Sequence, residues 1–334
     1  MNRIQSAALA ASISTAFGIS AAHAQTTVKM ATIAPGTSAY LTMTTMAKII
    51  NQGQEKVKIQ VDATGAATKH MVEVAQGKLD MSMSAPTVYN FMKKGVAMYK
   101  KLKSAPELSE NLRLLMWFPY GTYKFVTYEA DGMKTMADMK GKKVFLGPPG
   151  GGAFAAAKGW AQVTSGLEPG KDYKSVKASW SSALQGFQDR QIDVYTIGCI
   201  DPCPQLEQLS VTSKLRFLSA DDAAMSSPAM KKFLITGRSL AKTKGGAYGD
   251  QANADPVNAL QAVVGVTVRK NMDDDTVYTM TKAFWEGVKK ERASTPWLAD
   301  ITLEYAVQEG GMKLHPGALK YYQEVGLTIP KGSM

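Results

Sequence analysis

Histidine and cysteine are scarce in this chain of 334 residues, which contains three histidines and two cysteines. Metal sites and nucleophilic catalysis draw heavily on these two residue types, so the chain has few ways to build either. It has no H-E-x-x-H motif, no paired Cys/His spacing and no EF-hand loop. His70 falls in a predicted helix and His315 precedes a proline, so both fit structural or capping roles. The sequence therefore predicts no catalytic residue, no metal site and no cofactor.

Long apolar runs are also absent, because no stretch after residue 24 reaches the roughly 20 residues that a membrane-spanning helix needs. Residues 1–24 carry a cation at Arg3, a short run of small and apolar residues, and an Ala22-His23-Ala24 end. That order is typical of a secretory signal peptide cleaved before Gln25, the alternative being an N-terminal helix of the folded domain. We expect a mature protein, residues 25–334, that is soluble in the periplasm and has no lipid anchor.

The formal net charge of +11 raises the question of a nucleic-acid partner. The lysines are scattered, and no aromatic platform interleaves the densest run, which consists of Lys93, Lys94, Lys100, Lys101 and Lys103. A solvent-exposed face explains this run better than a nucleic-acid surface does. The positive potential instead favours encounter with small anions.

The two cysteines, Cys199 and Cys203, flank a short turn that contains Pro202. Two cysteines of a protein in an oxidising compartment usually pair, which favours a disulfide here. A two-ligand metal or redox site is the alternative.

Predicted strands alternate with predicted helices, which indicates parallel sheets with helices on their faces. Among the strands, Leu112–Phe118 ends at Pro119 and Tyr123–Tyr128 follows as a separate strand. The order predicts an α/β protein with two lobes. Residues 25–120 form the first part of lobe 1, residues 121–267 form lobe 2, and residues 268–334 form a helical return segment that packs mainly on lobe 1. This architecture places a ligand in the cleft between the lobes.

Four strand-to-helix turns offer hydroxyl groups and backbone N–H groups at helix N-termini, where an anion such as a carboxylate is favoured. The residues are Thr37, Ser38 and Tyr40; Ser84 and Thr87; Gly150, Gly151, Gly152 and Ala153; and Trp180 and Ser181. Each turn alone also fits ordinary helix capping, and Trp180 fits either a ligand contact or the core. The glycine run lacks the Gly-Lys-Ser/Thr ending of a nucleotide P-loop.

The order of five phrases resembles the TAXI-type solute receptors of tripartite ATP-independent periplasmic (TRAP) transporters. The phrases are GTSAY with TMAKIIN, VAQGKLDMSMS, GMKTMADMKGKKVFLGPPGGG, SALQGFQDRQIDVYTIG and MKLHPGALKYYQEVG. The resemblance covers essentially the whole mature chain and departs from the family at Ala39 and at residues 85–87. It implies a two-lobe type II periplasmic-binding-protein fold with the ligand cleft between the lobes. It also implies a two-part membrane permease as partner, with ligand residues on the four turns above.

These observations predict an extracytoplasmic solute receptor, a monomer, that binds a small carboxylate-bearing metabolite and delivers it to a TRAP permease. The resemblance implies a dicarboxylate or an amino acid such as glutamate. Asp201 could pair with the ammonium group of an amino acid, and without that pairing a plain mono- or dicarboxylate fits better. The alternative is a transferase-like enzyme on the same two-lobe fold.

Overall fold

The computed structural model describes residues 25–235, 237–249 and 253–334, so the predicted signal peptide lies outside the described residues. The strands are β1 Thr26–Ala31, β2 Val57–Asp62, β3 Met81–Ser84, β4 Leu112–Tyr128, β5 Lys143–Phe145, β6 Lys174–Ser175, β7 Val194–Cys199, β8 Leu215–Phe217, β9 Arg238–Lys242 and β10 Asn258–Arg269. The helices are α1 Ser38–Gly53, α2 Ala67–Ala75, α3 Pro86–Lys94, α4 Ala105–Ser109, α5 Gly152–Ser165, α6 Trp180–Gln188, α7 Pro204–Ser210, α8 Asp222–Met225, α9 Pro228–Phe233, α10 Asp274–Glu291, α11 Leu303–Ala306 and α12 Pro316–Glu324. Short 3₁₀ helices cover Ala97–Tyr99, Glu129–Asp131, Met136–Met139, Pro296–Asp300 and Lys331–Ser333.

Two long antiparallel strands, β4 and β10, run through both lobes of the molecule. The hydrogen-bonded order is β2-β1-β3-β10-β4-β7-β5-β6, with β8 on β4 and β9 on β10. Lobe 1 uses the first half of β4 and the second half of β10, next to the parallel strands β1, β2 and β3. Lobe 2 uses the second half of β4, which pairs with β7 and β8, next to β5 and β6. The two-lobe fold predicted from the sequence is confirmed.

The two predicted strands on either side of Pro119 are one continuous strand, which corrects the expectation that the first ends there. Pro119 is opposite Val263 and Gly121 is opposite Ala262, so Tyr120 is an extra residue at a β-bulge. A proline is tolerated at such an irregularity because no ladder hydrogen bond needs its missing N–H group. Gly121 has φ 87°, and a Cβ there would lie 2.1 Å from the carbonyl oxygen of Cys199, so only glycine fits.

Local sequence explains how α1 is placed on the lobe 1 sheet. Its apolar residues recur at helical spacing, and Met43, Met46 and Ile50 are fully buried. The helix begins where the Thr37 side chain accepts a hydrogen bond from the Tyr40 N–H group, an ordinary N-cap. The C-terminal helix α10 packs on α1, and α12 packs on α10, so the chain returns to lobe 1 at its end. The residue boundaries predicted for the lobes stay predictions.

Lobe 2 also has an aromatic core of its own, around Phe145, Phe187, Tyr195 and Phe217. Cys199 and Cys203 lie in this core and form a disulfide, as the sequence predicts. The lysines of the densest basic run are exposed. Among the described residues, no helix is both long enough and apolar enough to span a membrane.

Candidate ligand-binding site

A cavity of about 90 Å³ lies between the lobes, beside the point where β4 and β10 pass from one lobe to the other. Lobe 1 lines it with the end of β3 and the starts of α2 and α3, and lobe 2 lines it with the starts of α5 and α6. The passing strands and the start of β9 form the remaining wall. Most of the lining is apolar, including Ile33, Met71, Met83, Phe91, Trp180 and Val263. A ligand held here would contact both lobes at once.

The twelve residues predicted to bind ligand divide into two groups of six. The structure brings the first group together in the wall of the cavity: Ser84, Thr87, Gly151, Gly152, Ala153 and Trp180. The second group lies outside the cavity wall: Thr37, Ser38, Tyr40, Gly150, Ser181 and Asp201. The ligand-binding role of the first group stays a prediction.

Three of the helices that start at the cavity lack a capping side chain. The residues before the first turns of α2, α3 and α5 are Ala66, Ala85 and Gly151, and none of them makes a side-chain cap hydrogen bond. Residues at all three starts line the cavity. First-turn N–H groups have no partner within their own helix, and the helix dipole is positive at this end. The cavity wall is therefore suited to an anion.

The starts of α3 and α5 meet the start of β9 in one place. A Cβ on Gly152 would lie 2.7 Å from Cγ2 of Val88, so α5 of lobe 2 touches α3 of lobe 1. A Cβ on Gly237, just before β9, would lie 2.8 Å from Cβ of Pro86, the first residue of α3. The polar donors of the wall are thus gathered around the start of α3.

At the predicted turn of Thr37, Ser38 and Tyr40, the side-chain hydroxyls of Thr37 and Ser38 already accept hydrogen bonds from the protein. Thr37 caps its own helix, because its Oγ1 accepts a hydrogen bond from the Tyr40 N–H group at 3.2 Å. Ser38 Oγ accepts a hydrogen bond of 2.8 Å from the N–H group of Ile200 in lobe 2. Ser38 thus joins the two lobes, and Thr37 and Tyr40 form the cap of α1.

Gly150 and Ser181 are each one residue away from the wall, and each has a protein partner. The Thr68 hydroxyl of lobe 1 donates to the Gly150 carbonyl oxygen at 3.4 Å, another contact between the lobes. The Ser181 side chain is exposed, and its hydroxyl lies 3.1 Å from that of Ser179. Ser179 caps α6 by accepting a hydrogen bond from the Ser182 N–H group, so this turn is satisfied locally.

Asp201 belongs to a buried polar cluster at the hinge, here called the hinge cluster, formed by Thr122, Lys124, Asp201 and Tyr248. Lys124 is fully buried, and its Nζ lies 2.9 Å from Oδ1 of Asp201. The Tyr248 hydroxyl donates a hydrogen bond to the same oxygen. The predicted pairing of Asp201 with a ligand ammonium group is therefore replaced by pairing with Lys124. Sequence spacing could not show this partner.

Sequence reasoning missed Tyr120, Tyr123 and Arg238, which all line the cavity. Burial raises the pKa of the Tyr120 and Tyr123 hydroxyls well above the ordinary value, so both stay protonated at neutral pH and can donate hydrogen bonds. Burial lowers the pKa of the Arg238 guanidinium, while the nearby Tyr123 opposes that shift. Arginine side chains are effectively always protonated in proteins, so Arg238 remains charged. The sequence predicted an anion site made of hydroxyl and backbone N–H donors, and the structure adds the charged side chain of Arg238 to them.

Two buried hydroxyls of the wall have no hydrogen-bond partner in the part of the chain that the structure describes. They are Oγ of Ser84 and the hydroxyl of Tyr120, each in a residue that is 1% exposed. Buried polar groups are nearly always satisfied in native proteins, so an unsatisfied pair at a cavity indicates that something else bonds to them. Trp180 lines the cavity and also packs against Phe145 in the lobe 2 core, with ring centroids 5.3 Å apart, so its role as a ligand contact stays a prediction.

A comparison with known protein families matches residues 30–326 to the NMT1-like family. The chain belongs to the NMT1-like family. Its fold also matches solved structures at low sequence identity. A protein described as a periplasmic transporter is 14% identical, with a TM-score of 0.55, over 91% of this chain and 94% of its own. A Bordetella bronchiseptica RB50 protein is 15% identical, with a TM-score of 0.50, over 92% and 86% of the two chains.

A third solved structure is the alkanesulfonate-binding protein SsuA from Xanthomonas axonopodis pv. citri, bound to MOPS. It is 14% identical to this chain, with a TM-score of 0.47, and the match covers 90% of each chain. At such identities the likeness extends to the fold alone.

The described wall residues of this NMT1-like protein include one charged side chain, Arg238, and no histidine, cysteine, aspartate, glutamate or lysine. Across residues 25–235, 237–249 and 253–334 there is also no group of three or more metal-ligating side chains. The arrangement offers a cation, hydroxyls and helix N-termini, which bind and orient an anion. It offers no described side chain that titrates near neutral pH for acid–base chemistry.

Proposed function

We propose that this protein is an extracytoplasmic solute receptor that closes its lobes over a small carboxylate-bearing metabolite and delivers it to a membrane permease. The observation that carries the proposal is the cavity between the lobes, whose wall joins uncapped helix N-termini of both lobes to a basic side chain. The description of one solved protein of this fold as a periplasmic transporter agrees with this role.

Ligand binding would act by favouring the closed arrangement of the lobes. The contacts of Ser38 with Ile200 and of Thr68 with Gly150 join the two lobes, and both are made in this closed form. A ligand shifts a conformational equilibrium only by the difference in its affinity for the two states. A wall shared by both lobes supplies that difference, because an open form would separate the donors that surround the anion.

The alternative, a transferase-like enzyme on the same fold, needs an acid, base or nucleophile beside the ligand. The described wall contains serine, threonine and tyrosine hydroxyls, yet no histidine or carboxylate to activate them. His315 is used elsewhere, since its Nδ1 accepts a hydrogen bond from the Gly317 N–H group and caps α12. The site therefore supports binding without turnover.

Mass spectrometry of small molecules released from the purified protein tests the proposal directly. We expect a bound organic acid to be recovered, and calorimetric titration of the ligand-free protein with that acid to give one saturable site. The matched primary amide should bind at least tenfold more weakly, because a hydrogen bond to a charged group contributes about 1.5–3 kcal/mol. Chemical conversion of the acid during incubation would contradict the receptor role, as would equal affinity for acid and amide.

The resemblance to TAXI receptors leads us to propose a two-part, ion-driven TRAP permease as the membrane partner. Uptake of the labelled ligand by cells of the native host separates this partner from an ATP-driven importer. We expect uptake to depend on this receptor and to stop when an ionophore collapses the ion gradient at constant ATP. Uptake that follows ATP and ignores the ionophore would identify an ATP-driven importer instead.

A further inference from the structure

Arg238 is a basic side chain with no acidic partner among the described residues. Its guanidinium carbon lies 4.5 Å from the centroid of the Phe233 ring, and none of the described carboxylates forms an ion pair with it. Two other half-buried arginines do have acidic partners, since Arg216 pairs with Glu129 and Arg269 pairs with Asp80. A partly buried guanidinium without a counter-charge is unfavourable, so this position favours an anionic ligand.

The chain segments that carry Arg238 and the other polar donors pack against one another beside the start of α3. Gly237, the preceding residue, packs against Pro86 at the start of α3, and the start of α5 packs against the next turn of α3. Ser84, whose hydroxyl has no described partner, lies two residues before Pro86. A guanidinium, a free hydroxyl and uncapped helix starts gathered in this way suit one carboxylate group, which has up to four lone pairs to satisfy.

The rest of the wall would meet the remainder of the ligand, and it is mostly apolar and carries no further charge among its described residues. Ile33, Met71, Met83, Phe91 and Val263 line it, and none of the described wall residues is acidic. Asp201, the acidic residue that the sequence analysis assigned to the ligand site, forms an ion pair with Lys124. A second carboxylate on the ligand would find no second cation among the described wall residues, and an ammonium group would find no acid, so burial of either group is unfavourable.

We infer that the ligand is a monocarboxylate with an apolar body, and that Arg238 is the residue that anchors its carboxylate. The inference rests on the proposed receptor function and replaces the dicarboxylate or glutamate implied by the sequence resemblance. The apolar body packs on the aliphatic and aromatic side chains of the wall. The planar guanidinium matches a carboxylate with two parallel hydrogen bonds, a geometry that lysine does not reproduce.

Calorimetric titration of the ligand-free wild-type protein with a fixed panel tests the ligand class. The panel contains butyrate, hexanoate, benzoate, butanesulfonate, succinate and glutamate, with the amides of the three monocarboxylates. We expect at least one monocarboxylate to bind tenfold or more tightly than its amide, succinate, glutamate and the sulfonate. Tighter binding of succinate, glutamate or the sulfonate would overturn the inference and leave the receptor function standing. If no panel member binds and no small molecule is released from the purified protein, the receptor function itself fails.

Substitutions in β9 test the anchor. Arg238→Gln should weaken binding of the monocarboxylate roughly ten- to hundredfold and leave binding of its amide unchanged. Arg238→Lys should recover part of the loss, since it restores the charge but not the two parallel hydrogen bonds of the planar guanidinium. Lys242→Gln is the matched control, because Lys242 is an exposed cation in the same strand, outside the cavity wall. Retention of full affinity by Arg238→Gln would overturn the inference, and the wild-type panel decides the ligand class even where a variant misfolds.

Discussion

Two basic side chains near the crossing of β4 and β10, the buried Lys124 and the half-buried Arg238, differ in how fully the protein satisfies them. Lys124, in the hinge cluster, donates to Oγ1 of Thr122 at 2.8 Å and to the Cys199 carbonyl oxygen at 2.8 Å, and it pairs with Asp201. Arg238, in the cavity wall, has a weak contact of 3.5 Å to the Phe233 carbonyl oxygen and no described carboxylate partner. The protein therefore completes the polar network on the hinge side and leaves it incomplete on the cavity side.

This difference separates structural charge from ligand-binding charge. Burial lowers the pKa of Lys124, and the coulombic attraction of Asp201 opposes that effect. A buried ion pair whose hydrogen bonds are all made contributes mainly to specificity and order, whereas an unmatched buried charge is an energetic cost until a partner arrives. The predictions below therefore assign stability effects to the hinge cluster and affinity effects to the cavity wall.

The largest effect should come from breaking the pair in the hinge cluster. Lys124→Met removes the cation and leaves Asp201 buried with an uncompensated charge. We expect the free energy of unfolding to fall by about 3–5 kcal/mol, measured by urea denaturation of the ligand-free protein. Adding Asp201→Asn to this variant should recover part of the loss, because the amide carries no charge. A single Lys124→Met variant as stable as the wild type would remove the basis of the comparison.

Gly152→Ala should act on affinity instead. The new Cβ would lie 2.7 Å from Val88 of the other lobe, so it crowds the closed form and leaves an open form free. Overpacking of this kind costs about 1–3 kcal/mol, which corresponds to a roughly five- to hundredfold weaker affinity for the released ligand. Gly53→Ala is the matched control, since its Cβ would have 3.7 Å to the nearest atom, within α1 far from the cavity. Equal affinities of the two variants would contradict the role of this contact in closure.

Thr37→Ala should reduce stability and leave affinity unchanged. The substitution removes the N-cap of α1, which typically costs about 1 kcal/mol. Thermal unfolding of the ligand-free protein measures the stability, and titration with the released ligand measures the affinity. A loss of affinity beyond what the reduced stability explains would return Thr37 to the binding site predicted from the sequence.

The smallest effect concerns the stability of Arg238→Gln without ligand. Loss of the guanidinium contact with the Phe233 ring costs about 0.5–1 kcal/mol, and relief of an unmatched charge offsets it. We expect the free energy of unfolding to stay within about 1 kcal/mol of the wild type. A much larger loss would show that Arg238 holds the fold together and would place it with Lys124 as a structural cation.

The sequence was sufficient to predict the two-lobe fold, and half of the residues that it assigned to the ligand site line the cavity, because both depend on local patterns. Alternating apolar strands and helix starts rich in small residues identified Ser84, Gly151 and Trp180. Local patterns do not distinguish an N-cap that satisfies itself, as at Thr37, from a helix start left open by an alanine, as at Ala85. The sequence therefore predicted both turns as parts of the ligand site.

The remaining wall residues depend on pairing between distant strands. Tyr120 reaches the cavity from a bulge, where β4 has one residue more than β10 opposite it. Arg238 is positioned by the pairing of β9 with the first half of β10, more than twenty residues later in the chain. Neither register can be inferred from the period of apolar residues. The pairing of Lys124 with Asp201 also joins residues far apart in the sequence, so the sequence did not predict it.

The position of β10 between β3 and β4 has a consequence for how the protein folds. Lobe 1 lacks a central strand of its sheet until residue 269 of 334 has been synthesised. Before that point β3 and β4 have no neighbour on their facing edges, and unpaired edges of this kind invite association with other chains. Contacts so distant in sequence form late and slowly, because long loops must close first. Residues 25–120 made alone should therefore aggregate, and lobe 1 should stay unfolded for most of the synthesis of the chain.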